Sequence, residues 1–158
     1  MDDSHAGAYE LAFDEAGRAL DAQERTVNEL RSRASVLIAA AAIATSFFGT
    51  RAFADGGSSA RTWIAIFAFA LVALCVLAVL WPRSDWSFNA SASDLIATYI
   101  EPDPLTLPQI HRDLALHRAV AYDLNARQLR LLFVVFRIGL VLLVLETAAW
   151  IGALADVA

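Results

Sequence analysis

Three stretches of the chain stay apolar for long enough to cross a bilayer. The stretches before the first and third of them carry apolar positions at helical spacing. A spanning helix needs roughly 20 residues at about 1.5 Å each, and residues 34–54, 62–81 and 131–155 meet that length. The second run, Thr62 to Trp81, holds no charge, and Trp63 and Trp81 bracket it. As a helix it separates them by about 27 Å, close to the hydrocarbon thickness, with aromatics at both interfaces. Pro82 then ends the helix. The third run contains Arg137 and Glu146. Each costs about 2.5–3.5 kcal/mol at mid-membrane, against about 0.3–0.6 gained from each Leu, Ile, Val or Phe. Arg137 lies about 9 Å in from Leu131, near enough for its stem to snorkel back to the headgroups. The abundant large aliphatic residues of this run outweigh the two charges, so we read a third span.

The polar stretches also predict helices. From Tyr9 to Arg33 there is no Pro and one Gly, Gly17. Phe13, Leu20, Val27 and Ala34 recur every seven residues, with Ala16, Gln23, Leu30 and Leu37 on the companion positions. This heptad stripe runs straight into the first span. After Pro108, Ile110, His117, Leu124 and Leu131 repeat the pattern, with Leu114, Ala121 and Gln128 between them. Residues 82–108 link the second span to this helix. Ser93–Ile100 reads as a short amphipathic helix, and Glu101–Pro108 as a Pro-punctuated turn. Trp86 and Phe88 suit a headgroup layer.

Composition agrees with a membrane class. The 158 residues are 58% hydrophobic and 18% charged, more apolar and less charged than soluble domains. Arginines set the orientation. Arg31, Arg33, Arg83, Arg127 and Arg130 flank the spans on one side, and only Arg51 and Arg61 on the other. The positive-inside rule places the N-terminus in the cytosol and the C-terminus outside. The predicted fold is therefore an all-α membrane protein with three transmembrane helices. The first and third run on from long parallel cytosolic helices of about 33–39 Å. Its parts are a cytosolic amphipathic helix over 1–33, spans over 34–54 and 62–81, a short outer loop over 55–61, the linker 82–108, a cytosolic helix over 109–130 and the span 131–155. Two or three stripes alone make a thin core, and oligomerisation would complete it. All 12 basic residues are Arg, which points to a GC-rich bacterial gene and hence the plasma membrane. Residues 1–30 are acidic and lack an apolar core, so the first span is expected to be an uncleaved anchor. The net charge of −5 without a basic tract argues against a nucleic-acid partner.

No enzyme site emerges. Cys75, the single cysteine, falls in an apolar run and reads as a small buried residue. His111, Asp113 and His117 do not share one helix face, so no metal is expected. Asn89-Ala-Ser91 fits a glycosylation pattern but falls on the cytosolic side. No cofactor is implied. The intramembrane polar candidates are Glu146, Arg51 and Arg137. Glu146 and Arg51 lie at similar depth if the first and third spans are neighbours. Two readings stand for Glu146: a gate or polar ring in an oligomeric channel, or a structural tie to Arg51 or to a hydroxyl such as Thr45 or Ser46. Ala41, Thr45 and Gly49 form a small-residue face at four-residue spacing, and Ala148 and Gly152 form another. Both suit close helix packing, within one chain or between chains.

Leu30-Arg-Ser-Arg-Ala-Ser-Val-Leu37, Ser46-Phe-Phe-Gly49 and the second span resemble the cytosolic helix and span hairpin of small bacterial transmembrane effectors of anti-phage systems, of the Pycsar-effector and SLATT types. Leu114-Ala-Leu-His-Arg-Ala-Val-Ala-Tyr122 with Asn125 is similar to their post-hairpin helix. The resemblance covers about residues 20–82, and the third span departs from the two-span plan. It implies oligomerisation and membrane disruption when a nucleotide signal reaches the cytosolic part. No signal-binding motif carries over. The expectation is a non-enzymatic, oligomeric membrane protein acting as such an effector, or else an accessory subunit of a membrane complex without a pore. Expected partners are the lipid bilayer, further copies of the chain, and a cytosolic protein or nucleotide signal.

Overall fold

The structure, a computed structural model, describes residues 3–54, 59–82, 86, 96–100 and 105–155. Among these, every regular element is helical: α1 (Asp3–Ala54), α2 (Ala60–Leu80), a π-helical segment (Ile96–Ile100) and α3 (Leu107–Ala155). Three helices are long and apolar enough to cross a membrane. The expected outer loop falls largely on 55–58, outside the described residues. So do Phe88, Asn89 and most of the linker; of the helix expected over 93–100, only the π-helical segment is described.

Local chemistry accounts for the helix ends. Ser59 caps α2, its Oγ accepting from the Thr62 amide at 3.3 Å. The Trp81 amide closes the other end onto the Leu77 carbonyl at 2.8 Å, just before Pro82. α3 begins two residues earlier than Pro108 suggested. Thr106 and Gln109 form a reciprocal cap there. The Gln109 Oε1 accepts from the Thr106 amide at 2.9 Å, and the Gln109 amide donates to the Thr106 carbonyl at 2.9 Å. Thr-x-x-Gln is a capping-box spacing with Pro108 in the first turn, where its missing amide is no loss.

The chain divides into two compact units. Unit 1 comprises Met1–Val27 and Arg83–Leu129. In it α1 buries Leu20, Gln23 and Val27, and α3 buries Ala121 and Asn125. Phe13 stacks on His111, with ring centroids 5.1 Å apart, and the Arg118 guanidinium carbon lies 3.9 Å from the Phe13 ring centroid. Arg118 Nη1 also donates to the Phe13 carbonyl at 3.1 Å. Gly17 leaves the space: a Cβ there would meet Nη1 at 2.8 Å. Further along, Gln23 Nε2 donates to the Tyr122 carbonyl at 3.0 Å. Contact partners advance together along α1 and α3, so within this unit the two helices run parallel.

Unit 2 comprises Asn28–Pro82 and Arg130–Ala158. Leu37 faces Gly139, and Gly49 faces Trp150, so α1 and α3 are parallel here too. Arg61 meets Gly152 and Cys75 meets Gly139, so α2 runs antiparallel to α3. The packing inverts the soluble rule. α2 buries Thr62, Ala65, Ala68, Val72, Val76 and Val79 and exposes Trp63, Ile64, Phe67, Leu74 and Leu77. α1 likewise buries Ala34, Ala41 and Ala52 while exposing Val36, Ile43, Phe47 and Phe53. Small residues let helix backbones approach when lipid tails are as apolar as any core. Large aliphatic and aromatic side chains facing outward would be a liability in water.

The heptad stripe expected on α1 is the buried one: Leu20, Val27 and Ala34, with Gln23, Leu30 and Leu37, and Ala41 continues it. The stripe expected on α3 is buried only on its companion positions, where Ala121 is buried and Leu114 and Gln128 are half-buried. Leu124 and Leu131 are 54% and 55% exposed, and His117 is exposed. From Ala121 the buried seam passes through Asn125, Leu132, Gly139, Glu146, Trp150 and Ala153 in place of Leu124 and Leu131. It is rotated by about one residue, or 100°, because Asn125, Gly139 and Glu146 occupy contact positions that an apolar reading passes over.

Candidate functional site

The strongest candidate is the one carboxyl buried in the apolar part of α3. Glu146 is 0% exposed, as is Trp150 one turn later. The i, i+4 spacing puts both side chains on one face of α3, the face turned to α1. There Thr45 presents its hydroxyl. Thr45 Oγ1 donates to Glu146 Oε1 at 2.6 Å, a length typical of a hydroxyl bound to a carboxyl group. The same hydroxyl accepts from Trp150 Nε1 at 3.3 Å. Thr45 is thus donor and acceptor at once, and the three side chains form a chain from indole to hydroxyl to carboxyl.

Gly49, one turn after Thr45, makes room for the indole. A Cβ there would lie 3.3 Å from Trp150 Cη2 and 3.6 Å from Cζ2. Trp150 also closes a small core with Ala52 and Ala65, packed against Phe48, Ile66 and Ala149. The small-residue face Ala41–Thr45–Gly49 therefore serves contact within the chain: Ala41 is buried, Thr45 binds Glu146 and Gly49 receives Trp150. Glu146 Oε2 is buried with no hydrogen-bond partner among the described residues.

The other candidates are placed elsewhere. Arg51 is exposed, and Glu146 takes Thr45, not Arg51, as its partner. The expected ion pair is replaced by a hydroxyl bond because α1 turns Thr45 inward and Arg51 outward. Arg137 is exposed on α3. Gly152 packs under the stem of Arg61, whose Nη1 donates to the Gly152 carbonyl at 2.9 Å. Ala148 is exposed and lines a groove. Within one copy of the chain Glu146 is buried, with Thr45 as its hydrogen-bond partner. His111, weighed as a metal ligand, stacks on Phe13.

Two participants were not singled out from the sequence. Trp150 lies four residues after Glu146, a spacing that pairs an indole donor with an acid on one helix face. Arg61 was missed because one of its bonds goes to a main-chain carbonyl 91 residues away, which leaves no residue pattern. Compared with family models, curated proteins and solved structures, the chain matches none.

Proposed function

We propose that this chain is a non-enzymatic, multi-pass protein of a bacterial plasma membrane, with its N-terminus in the cytosol and its C-terminus outside. In this reading it acts as an oligomeric, signal-triggered effector that perturbs the membrane. The observation that carries the reading is helix length. α1 has 52 residues and α3 has 49, while a span uses roughly 20. Each helix therefore has more than 25 residues to spend outside the bilayer, and both contribute to unit 1 as well as unit 2. The resemblance to anti-phage effectors supplies the class of trigger, a nucleotide signal.

The test is leakage. The protein is reconstituted in liposomes holding a self-quenched dye, alone and with cyclic nucleotides. Dye release on nucleotide addition is the expected result. Absence of release, with stable monomers in detergent, would overturn the effector reading. Enclosure of Glu146 favours one rival, an accessory subunit without a pore, and that outcome would support it.

Orientation has its own test. In a Cys75→Ala background, Ala8→Cys is expected to react with a membrane-impermeant maleimide only after cells are opened. Ala155→Cys is expected to react in spheroplasts. The reverse pattern, or equal labelling of both, would overturn the topology.

A further inference from the structure

The seven-residue spacing on α3 does not stop at His117, Leu124 and Leu131. It continues through Ile138 and Leu145. A second row, Val120, Arg127, Val134, Val141 and Ala148, follows each member of the first by three residues. All ten positions are exposed. Together the rows are the a and d positions of a heptad. Each lies 100° or more around the helix from Leu132, Gly139 and Glu146, which are buried.

In unit 2 these residues belong to a broader apolar surface, as befits a helix beside lipid tails. Unit 1, cytosolic in the proposed topology, is different. There α1 turns Asp14, Arg18, Asp21 and Arg25 outward, and among its described residues in this unit only Leu11 is a large exposed apolar side chain. α3 exposes Leu116, Val120 and Leu124, four residues apart on one face. An aliphatic patch kept in water marks a contact surface.

The period points to the occupant. Lipid tails and irregular chain impose no seven-residue repeat, whereas a helix that supercoils with α3 does. From Val120 to Leu145, about 38 Å of helix, the repeat is interrupted once, at Arg127. Within one chain no helix is left for the role. α1 buries its own stripe, and α2 lies wholly in unit 2. Copies in one membrane share direction and depth, so a rotation axis along the membrane normal brings identical rows together.

We propose that α3 of a second copy covers this stripe, parallel and in register, so that the chain assembles through a symmetric α3 seam. This seam rests on the oligomeric part of the functional reading and gives it a face. Arg127 is its weak layer, because symmetry sets like charges at one level of an otherwise apolar row.

The experiment uses the full chain. In isolated membranes and a Cys75→Ala background, Leu124→Cys is expected to form disulfide-linked dimers on mild oxidation. Ala119→Cys, exposed on another side of α3, is expected to form almost none. Detergent-solubilised protein is then weighed by native mass spectrometry. The wild type is expected as an oligomer. Val120→Asp with Leu124→Asp is expected to shift it to the single-chain mass with its helical circular dichroism kept, since both side chains are already exposed within one chain. Arg127→Leu completes the apolar row and is expected to hold the oligomer at detergent concentrations that dissociate the wild type.

An unchanged oligomer in the double aspartate variant, or equal cross-linking at the two cysteine positions, would overturn the seam while leaving oligomerisation itself standing. A single-chain wild type without cross-links would overturn both. Protection of Leu124→Cys from maleimide in a protein of single-chain mass would overturn the seam by assigning the stripe to a segment of the same chain.

Discussion

Replacing Trp150 by alanine is expected to destabilise the protein by about 3 kcal/mol, the low end for loss of a buried tryptophan. The measurement is the midpoint of unfolding by sodium dodecyl sulfate in mixed micelles, followed by circular dichroism. Trp150 is completely enclosed, so the substitution leaves a cavity bounded by Gly49, Ala52 and Ala65. It also strips Thr45 of the indole N–H it accepts. The low end is appropriate because tails surround the unit in a micelle, and transfer of apolar surface contributes little there. What is lost is dispersion contact across the void. Filling the same contact from the other side should also hurt. Gly49→Leu forces the indole aside and is expected to cost about 1–3 kcal/mol. Gly49→Ala meets the ring at 3.3 Å and needs only a small adjustment. If Trp150→Ala changed the midpoint no more than an ordinary surface substitution, about 0.5 kcal/mol, the packing described around it would be wrong.

The second large effect concerns Glu146. Glu146→Arg is expected to destabilise by about 3–5 kcal/mol, the range for an uncompensated buried charge, and to deplete the protein from the membrane fraction. Adding Arg51→Glu should not restore it, because Arg51 points outward. The informative contrast is with Thr45. Thr45→Val alone leaves both carboxyl oxygens and the indole N–H unbonded, and an enclosed group without a partner costs about 1–3 kcal/mol. Thr45→Val combined with Glu146→Leu removes the acid as well. The double variant should therefore be more stable than Thr45→Val alone, a non-additivity expected of groups in direct contact. Rescue of Glu146→Arg by Arg51→Glu to near the parent midpoint would instead restore the ion pair.

These expectations mark where the sequence was legible. The three long apolar helices were readable because apolar runs of this length have few other uses. The α1 stripe was readable because Leu20, Val27, Leu30 and Leu37 are both heptad-spaced and apolar. On α3 the two cues diverge. Leu124 and Leu131 are the apolar choice, yet the buried seam runs through Asn125, Gly139 and Glu146. Hydrophobicity misleads in a chain whose outward face is as apolar as its interior. In unit 2 residue size separates the two faces better, as α2 demonstrates with valine and alanine inward and phenylalanine outward. The partner of Glu146 was open between Arg51 and a hydroxyl because both lie near its depth. Only the rotation of α1 about its axis decides between them. Arg61 was out of reach, since a side chain bound to a main-chain carbonyl leaves no residue pattern to find.

The Gln23 contact in unit 1 has a kinetic consequence. Its amide is hooked on the Tyr122 carbonyl, and that carbonyl recurs along α3 only once per turn on the same face. Sliding of the two helices past one another therefore costs this bond. Any axial slip breaks the hook and finds an equivalent carbonyl about 5.4 Å away, one turn up or down. Positions between leave a buried amide without a partner and are disfavoured by about 1–3 kcal/mol. The bond therefore favours one axial register of α1 against α3 in this unit over its neighbours.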